Sequence, residues 1–154
     1  MFNIIVLGKF MLTVNLVCVG DLKEKYLKEA CNEYIKRLSR FCKLNIIEVA
    51  ESTKEKEKEF ILKKIEGYVV TLCVEGRQLS SGSFAEFIEK TSLISSKITF
   101  VIGGSEGLDE EIKNKANFKL SFSEMTFPHQ LMRVIFLEQL YRSFTINNNI
   151  TYHK

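Results

Sequence analysis

Two imidazoles are present in this chain, and both fall in its last third. His129 directly follows the only proline, and His153 is the penultimate residue. Histidine changes charge near neutral pH, so each is a candidate for moving a proton, with His153 first and His129 second. Tyr152 and Lys154 flank His153, making a polar tail. Further upstream, Gly103-Gly104-Ser105-Glu106-Gly107 follows an apolar run, and glycine lets backbone come close to a ligand. The spacing is not Gly-x-Gly-x-x-Gly, and the cluster ends a late strand instead of opening the first βαβ unit, which argues against a dinucleotide fingerprint. Ser121-Phe122-Ser123-Glu124-Met125-Thr126-Phe127 mixes hydroxyls with large apolar groups. Such a segment can surround a flat ring while backbone amides bind the nitrogens at its edge. Arg133 and Arg142 share an apolar stretch with Glu138. A guanidinium there needs a partner, either that carboxylate, a second subunit or a nucleic-acid phosphate. Taken singly, each feature also fits a plain structural role, such as a tight turn, a strand-to-helix connection or an exposed histidine.

These residues need a scaffold, and 154 residues with 45% hydrophobic content can build one domain with a real core. A net charge of +3 and a pI of about 8.6 are mildly basic, compatible with RNA but not diagnostic of it. Cys18, Cys31, Cys42 and Cys73 show no Cys-x-x-Cys spacing and have no histidine near them in sequence. A zinc site is therefore disfavoured, and the thiols read as reduced and intracellular. The apolar start, MFNIIVLGKFMLTVNLVCVG, lacks a basic flank and is interrupted by Lys9 and Asn15, which argues against a signal peptide or a membrane span. Residues 1–10 read as an extension, and residues 11–154 as a single domain.

Strand and helix signals alternate along that domain. LTVNLVCV over residues 12–19 suits a buried strand, Gly20 ends it, and Asp21 is placed to cap a helix reaching about Phe41. Lys43 to Ala50 reads as a second strand, and the mixed-charge run 51–66 as a solvated helix with Ser52 or Thr53 as its cap. YVVTLCVE, ending at Gly76, reads as the third strand, followed by a helix from about Phe84 to Leu93. Ile98–Ile102 and Phe118–Ser123 are the fourth and fifth strands, separated by a short polar helix. Pro128 can open a last helix whose apolar arc is wide enough for burial on two sides, for example in the domain and against a partner chain. The class is α/β with a mainly parallel sheet. Ligands in such sheets bind beyond the carboxyl ends of strands, which directs attention to residues 72–76, 102–107 and 122–127.

Several motifs in order carry a family resemblance. FVIGGSEG from Phe100, LSFSEMTFPHQ from Leu120, Arg133, EQLYR from Glu138 and the terminal Tyr152-His153-Lys154 together resemble the RlmH family. These are pseudouridine methyltransferases of large-subunit ribosomal RNA, of the SPOUT (α/β-knot) class. The resemblance runs from about Met11 to Lys154 and includes the opening Val17-Cys18-Val19-Gly20 and Leu22-Lys23-Glu24-Lys25-Tyr26. It implies helices on both faces of the sheet and a C-terminal trefoil knot. It implies S-adenosylmethionine bound at Leu72, Gly103 and the stretch Phe122, Ser123, Glu124, Met125, Thr126 and Phe127. It also implies a cytoplasmic homodimer whose sites are each completed by the partner chain, with no metal and no membrane. The implied substrate is a pseudouridine in helix 69 of ribosomal RNA, methylated at ring nitrogen 3. His153, His129 and Tyr152 are then the candidates for catalysis, and Arg133, Arg142 and Lys154 those for meeting the RNA. Rival readings are a knotted methyltransferase for another RNA such as tRNA, a non-catalytic RNA-binding or ribosome-associated module, and a Rossmann-type dinucleotide enzyme.

Overall fold

The computed structural model describes residues 11–152; residues 1–10, His153 and Lys154 lie outside the described residues. Five strands, β1 (Leu12–Val19), β2 (Cys42–Val49), β3 (Tyr68–Gln78), β4 (Lys97–Ile102) and β5 (Phe118–Ser121), form one sheet in the order β2-β1-β4-β3-β5. Every pair in it is parallel. Parallel neighbours need crossovers. Helices α1 (Lys25–Leu38), α2 (Lys54–Leu62), α3 (Ser81–Ile94) and α4 (Glu110–Lys115) lie in the connections between strands, and α5 (His129–Asn147) follows β5.

Strand periodicity divides the core. On β1, Val14, Leu16 and Cys18 face one layer while Val17 and Val19 face the other. On β4, Ile98, Phe100 and Ile102 face the first layer and Val101 the second. Side chains alternate across a strand, so apolar residues at every position mean burial on both faces. The larger layer holds α1, α3 and α5, and the smaller holds α2 and α4.

Two expectations change in the structure. The helix after β1 is not capped by Asp21: its N-cap is Glu24, with no side-chain cap bond. The preceding residues instead cross toward α5, where the Lys23 amide donates to Gln130 Oε1 at 3.0 Å. Gly76 does not end β3. The strand runs on to Gln78 after a register shift between Leu72 and Arg77 against β5. A Cβ at Gly76 would sit 2.8 Å from backbone of Lys119 and Leu120, so this glycine marks a close passage of two strands. Much of the wide apolar arc of α5 is covered within the chain, where α5 packs on the sheet between α1 and α3 and buries Met132, Phe136, Leu137, Leu140 and Phe144, while Leu131 stays exposed.

Candidate functional site

The carboxyl ends of β3, β4 and β5 open into a cavity of about 550 Å³. Leu72, Cys73, Val74 and Glu75 line it from β3, and Gly103, Gly104, Ser105, Gly107 and Leu108 from the loop after β4. Leu120, Phe122, Ser123, Met125, Thr126 and Phe127 come from β5 and the loop after it, and Pro128, His129 and Met132 from the start of α5. Three segments far apart in sequence therefore share one concavity, in the place where open parallel sheets hold ligands. Glu124, inside the third segment, is exposed.

The loop after β5 holds itself open through its own hydroxyl. Ser123 Oγ accepts from the Met125 amide at 2.9 Å, and Ser121 Oγ donates to the Ser123 carbonyl at 3.0 Å. Behind it, Phe122 packs edge-on to Phe84 with centroids 6.2 Å apart. The loop is thereby supported from the core while Ser123, Met125, Thr126 and Phe127 line the cavity.

The glycine loop is tied to itself. The Gly107 amide donates to the Gly104 carbonyl at 3.0 Å, and Gly107 has φ +76°. A Cβ at Gly103 would meet Gly107 backbone at 2.8 Å and Leu108 Cγ at 3.0 Å. The loop's own turn thus requires this glycine before any ligand does. Gly103→Val, which the sequence alone would offer as a clean probe of ligand approach, deforms the turn as well.

Charge at the cavity is local. Lys113 of α4 bonds Glu75, and that bond holds the Glu75 carboxyl below the ordinary carboxylate range. Cys73 is pushed up, mainly by burial. His129 sits at the rim beside the turn that ends β1: a side chain built on Gly20 would meet Glu51 Oε2 at 3.6 Å and His129 Nε2 at 3.9 Å.

The remaining candidates lie elsewhere. Arg133 is 3% exposed; its Nη1 donates to Glu48 Oε2 at 2.6 Å and its Nη2 to the Gly20 carbonyl at 3.2 Å, while its Nε is buried without a partner. A guanidinium held this way does not reach a phosphate on the surface, so Arg133 is a strut between α5, β2 and the turn after β1. Arg142 forms a forked pair with Glu138, through Nε at 3.1 Å and Nη2 at 2.6 Å. Tyr152 returns onto this pair: its hydroxyl donates to Glu138 Oε2 at 2.9 Å and lies 3.5 Å from the Tyr34 hydroxyl. Its ring meets Tyr141 edge-on at 4.8 Å, with the Arg142 guanidinium 5.1 Å from the ring centroid. Burial first, then the bonds to Tyr34 and Glu138, push the Tyr152 hydroxyl well above the ordinary tyrosine range. It stays protonated at neutral pH and is a poor base there. Glu138 lies nine residues along α5 from His129, about 14 Å at 1.5 Å per residue. Tyr152 therefore does not line the cavity of its own chain.

Sequence reasoning missed Glu48, Tyr34 and the Glu75–Lys113 pair. The usable signal was an arginine on the apolar arc of a buried helix, which demands a carboxylate on a facing element; only the packing shows which one. Among the described residues no three His, Cys, Asp or Glu side chains group as a metal site, and no helix is long and apolar enough to cross a membrane.

Comparison with known proteins adds three findings. The family described as Predicted SPOUT methyltransferase matches residues 12–153. Ribosomal RNA large subunit methyltransferase H of Clostridium novyi is 50% identical over 160 residues, covering 93% of this chain and 100% of the relative. The protein of the same name from Bifidobacterium animalis subsp. lactis is 50% identical over 159 residues, again covering 93% and 100%. Among solved structures, one described as a probable methylase family protein from Haemophilus influenzae superposes with a TM-score of 0.56 at 16% identity, covering 92% of this chain and 70% of that one. That likeness concerns the fold.

Proposed function

The chain belongs to the SPOUT methyltransferase family, and from that premise we propose that it transfers a methyl group from S-adenosylmethionine to large-subunit ribosomal RNA, at ring nitrogen 3 of a pseudouridine in helix 69. The observation that carries this reading is the single cavity shared by Leu72, Gly103 and the loop Phe122–Phe127. Relatives identical at half of their positions bear the name ribosomal RNA large subunit methyltransferase H, which supports the methyl transfer to large-subunit RNA.

The cavity fits the donor chemically. Phe122, Phe127 and Leu72 offer apolar surface for a purine ring, and the strand-end loops offer backbone donors and acceptors for its edge. When bound there, S-adenosylmethionine supplies an already electrophilic methyl carbon, which makes a Lewis acid unnecessary. What remains for the protein is alignment of the base with that carbon and exclusion of water, worth up to ~7–11 kcal/mol in favourable geometry. Ring nitrogen 3 carries an imide proton that leaves as the new bond forms, and a histidine within hydrogen-bond reach can accept it or hold the base edge. His129 stands at the rim for either role. His153 is the other candidate.

Tyr152 packs about 14 Å along α5 from the cavity of its own chain. In this reading the last residues therefore serve the cavity of a partner in a homodimer. The reading includes the trefoil threading of the C-terminal segment and a cytoplasmic place of work, where the ribosome is. Three measurements test it. Calorimetry is expected to show S-adenosylmethionine binding and none of NAD. Sedimentation at micromolar concentration is expected to show a dimer, and a fully active monomer removes trans completion. Mass spectrometry of ribosomal RNA from a strain lacking this protein is expected to lose one 3-methylpseudouridine, and an unchanged RNA overturns the substrate.

A further inference from the structure

The positive charge of this chain is concentrated on one side of it. Between Lys23 and Lys43 lie seven Lys or Arg and three Glu, while all 154 residues together carry a formal net charge of only +3. Within that segment Lys25 pairs with Glu29 and Arg37 with Glu33. Lys23, Lys28, Lys36, Arg40 and Lys43 are exposed and, among the described residues, have no carboxylate within ion-pair distance. Lys28, Asn32 and Lys36 follow one another at four-residue intervals, so they share a face of α1 and span about 12 Å of its axis. That face is opposite the buried Leu27, Cys31 and Leu38. Arg40 continues the line past the end of the helix, whereas Lys43, between Cys42 and Leu44 on β2, faces the other layer.

The line begins at the candidate site. The Lys23 amide is held by Gln130 Oε1, and Gln130 adjoins His129 at the cavity rim. Tyr26, in the first turn of α1, is 66% exposed. A donor cavity with His129 at its rim and a row of unpaired cations leading away from it describe what a polynucleotide needs when one of its bases is presented to the donor. We infer that the outer face of α1, from Lys23 through Lys28 and Lys36 to Arg40, is the docking surface for the RNA phosphates that flank the base presented at the cavity rim. This rests on the methyltransferase reading above and adds to it the side from which the RNA approaches. An acidic protein surface would be met by the same charges, but the row starts at the cavity rim, and that favours the substrate itself.

The test is charge reversal in the full-length protein, Lys28→Glu, Lys36→Glu and Arg40→Glu together, assayed on large ribosomal subunits. The Michaelis constant for the subunit is expected to rise at least ~10-fold, and the log–log salt dependence of binding to flatten by about 2–3, at ~0.7–0.9 per lost phosphate contact. Saturated turnover and S-adenosylmethionine affinity are expected to hold. Reversing Lys54, Lys63 and Lys64, which sit on and just after α2 on the opposite layer, is the control and is expected to leave the Michaelis constant nearly unchanged. If the reversed α1 variant does not fold, the corresponding glutamine triple decides, with the same direction and a smaller size. A Michaelis constant and salt slope equal to wild type overturn the inference, as does an equal loss in the control. If the wild-type protein methylates no ribosomal RNA, the proposed activity fails by itself. Filter binding of ribosomal RNA then judges the surface: a ~10-fold weaker affinity of the α1 variant upholds it, and equal affinity overturns it.

Discussion

At its amino end α5 carries His129 and Met132 to the cavity wall; at its carboxyl half it carries Glu138 and Arg142, onto which Tyr152 folds back. Both regions mix aromatic and polar groups, yet they differ in how those groups are committed. Around the cavity, hydroxyls and backbone of the loop Ser123–Phe127 bond mainly within their own turn, leaving a concave surface. Around Glu138 nearly every polar atom is paired across elements, with Arg142 and Tyr152 on one carboxylate and Tyr34 beside them. The first region is built to receive something. The second holds Tyr152 against the carboxyl half of α5.

The sharpest break of this comparison is removal of His153 and Lys154 alone, which keeps Tyr152 and its anchor intact. Methyl transfer is expected to fall by about 10²–10⁴-fold, the usual span for a lost proton-transfer group, with donor binding and melting temperature nearly unchanged. A truncated chain with normal turnover would sink the role of the tail.

Next in size is the strut beneath the cavity rim. Glu48→Ala strands the buried Arg133 guanidinium and is expected to cost about 3 kcal/mol in urea denaturation, the low end for an orphaned buried charge because Glu48 is itself 44% exposed. Arg133→Met leaves a carboxylate that can hydrate, and is expected to cost less. The reverse order would show that the buried Arg133 guanidinium does not depend on Glu48.

Ser123→Ala removes the acceptor for the Met125 amide. One hydrogen bond is worth about 0.5–1.5 kcal/mol, so donor affinity is expected to drop about 2–10-fold while the fold persists. Unchanged calorimetric affinity would mean that the loop is held by packing alone.

The smallest effect near neutrality is in the core. Cys18 and Cys42 are each raised by burial from 9.0 to about 12. A thiol kept neutral in the fold ionises more easily in the unfolded chain. The stability it carries is complete below 9.0 and is lost as pH rises from there toward about 12. At about pH 9.5 the loss is expected to be below ~1 kcal/mol per thiol, and Cys18→Ser is expected to flatten that part of the profile. A stability curve level through this range would contradict the burial.

The amino-acid sequence by itself determines the class of this fold and the place of its cavity. Apolar β-branched runs alternating with amphipathic stretches dictate parallel strands and crossover helices, because each residue's own geometry and its neighbours three or four positions away decide those states. The three strand-end segments of the cavity are legible for a related reason: a ligand in an open parallel sheet has few places to go. The tertiary structure decided what depends on partners distant in sequence. Nothing local tells Arg133 from Arg142, yet Glu48, from another strand, buries one, while Glu138, on the same helix, holds the other. Nothing local tells whether Gly76 ends a strand or lets β5 pass so close that a Cβ would meet its backbone at 2.8 Å. The wide apolar arc of α5 is visible in the sequence, but the helices that cover it, α1 and α3, are not. Burial, pairing and close passage are properties of two chain segments at once, and their energies are settled only when the fold brings both together.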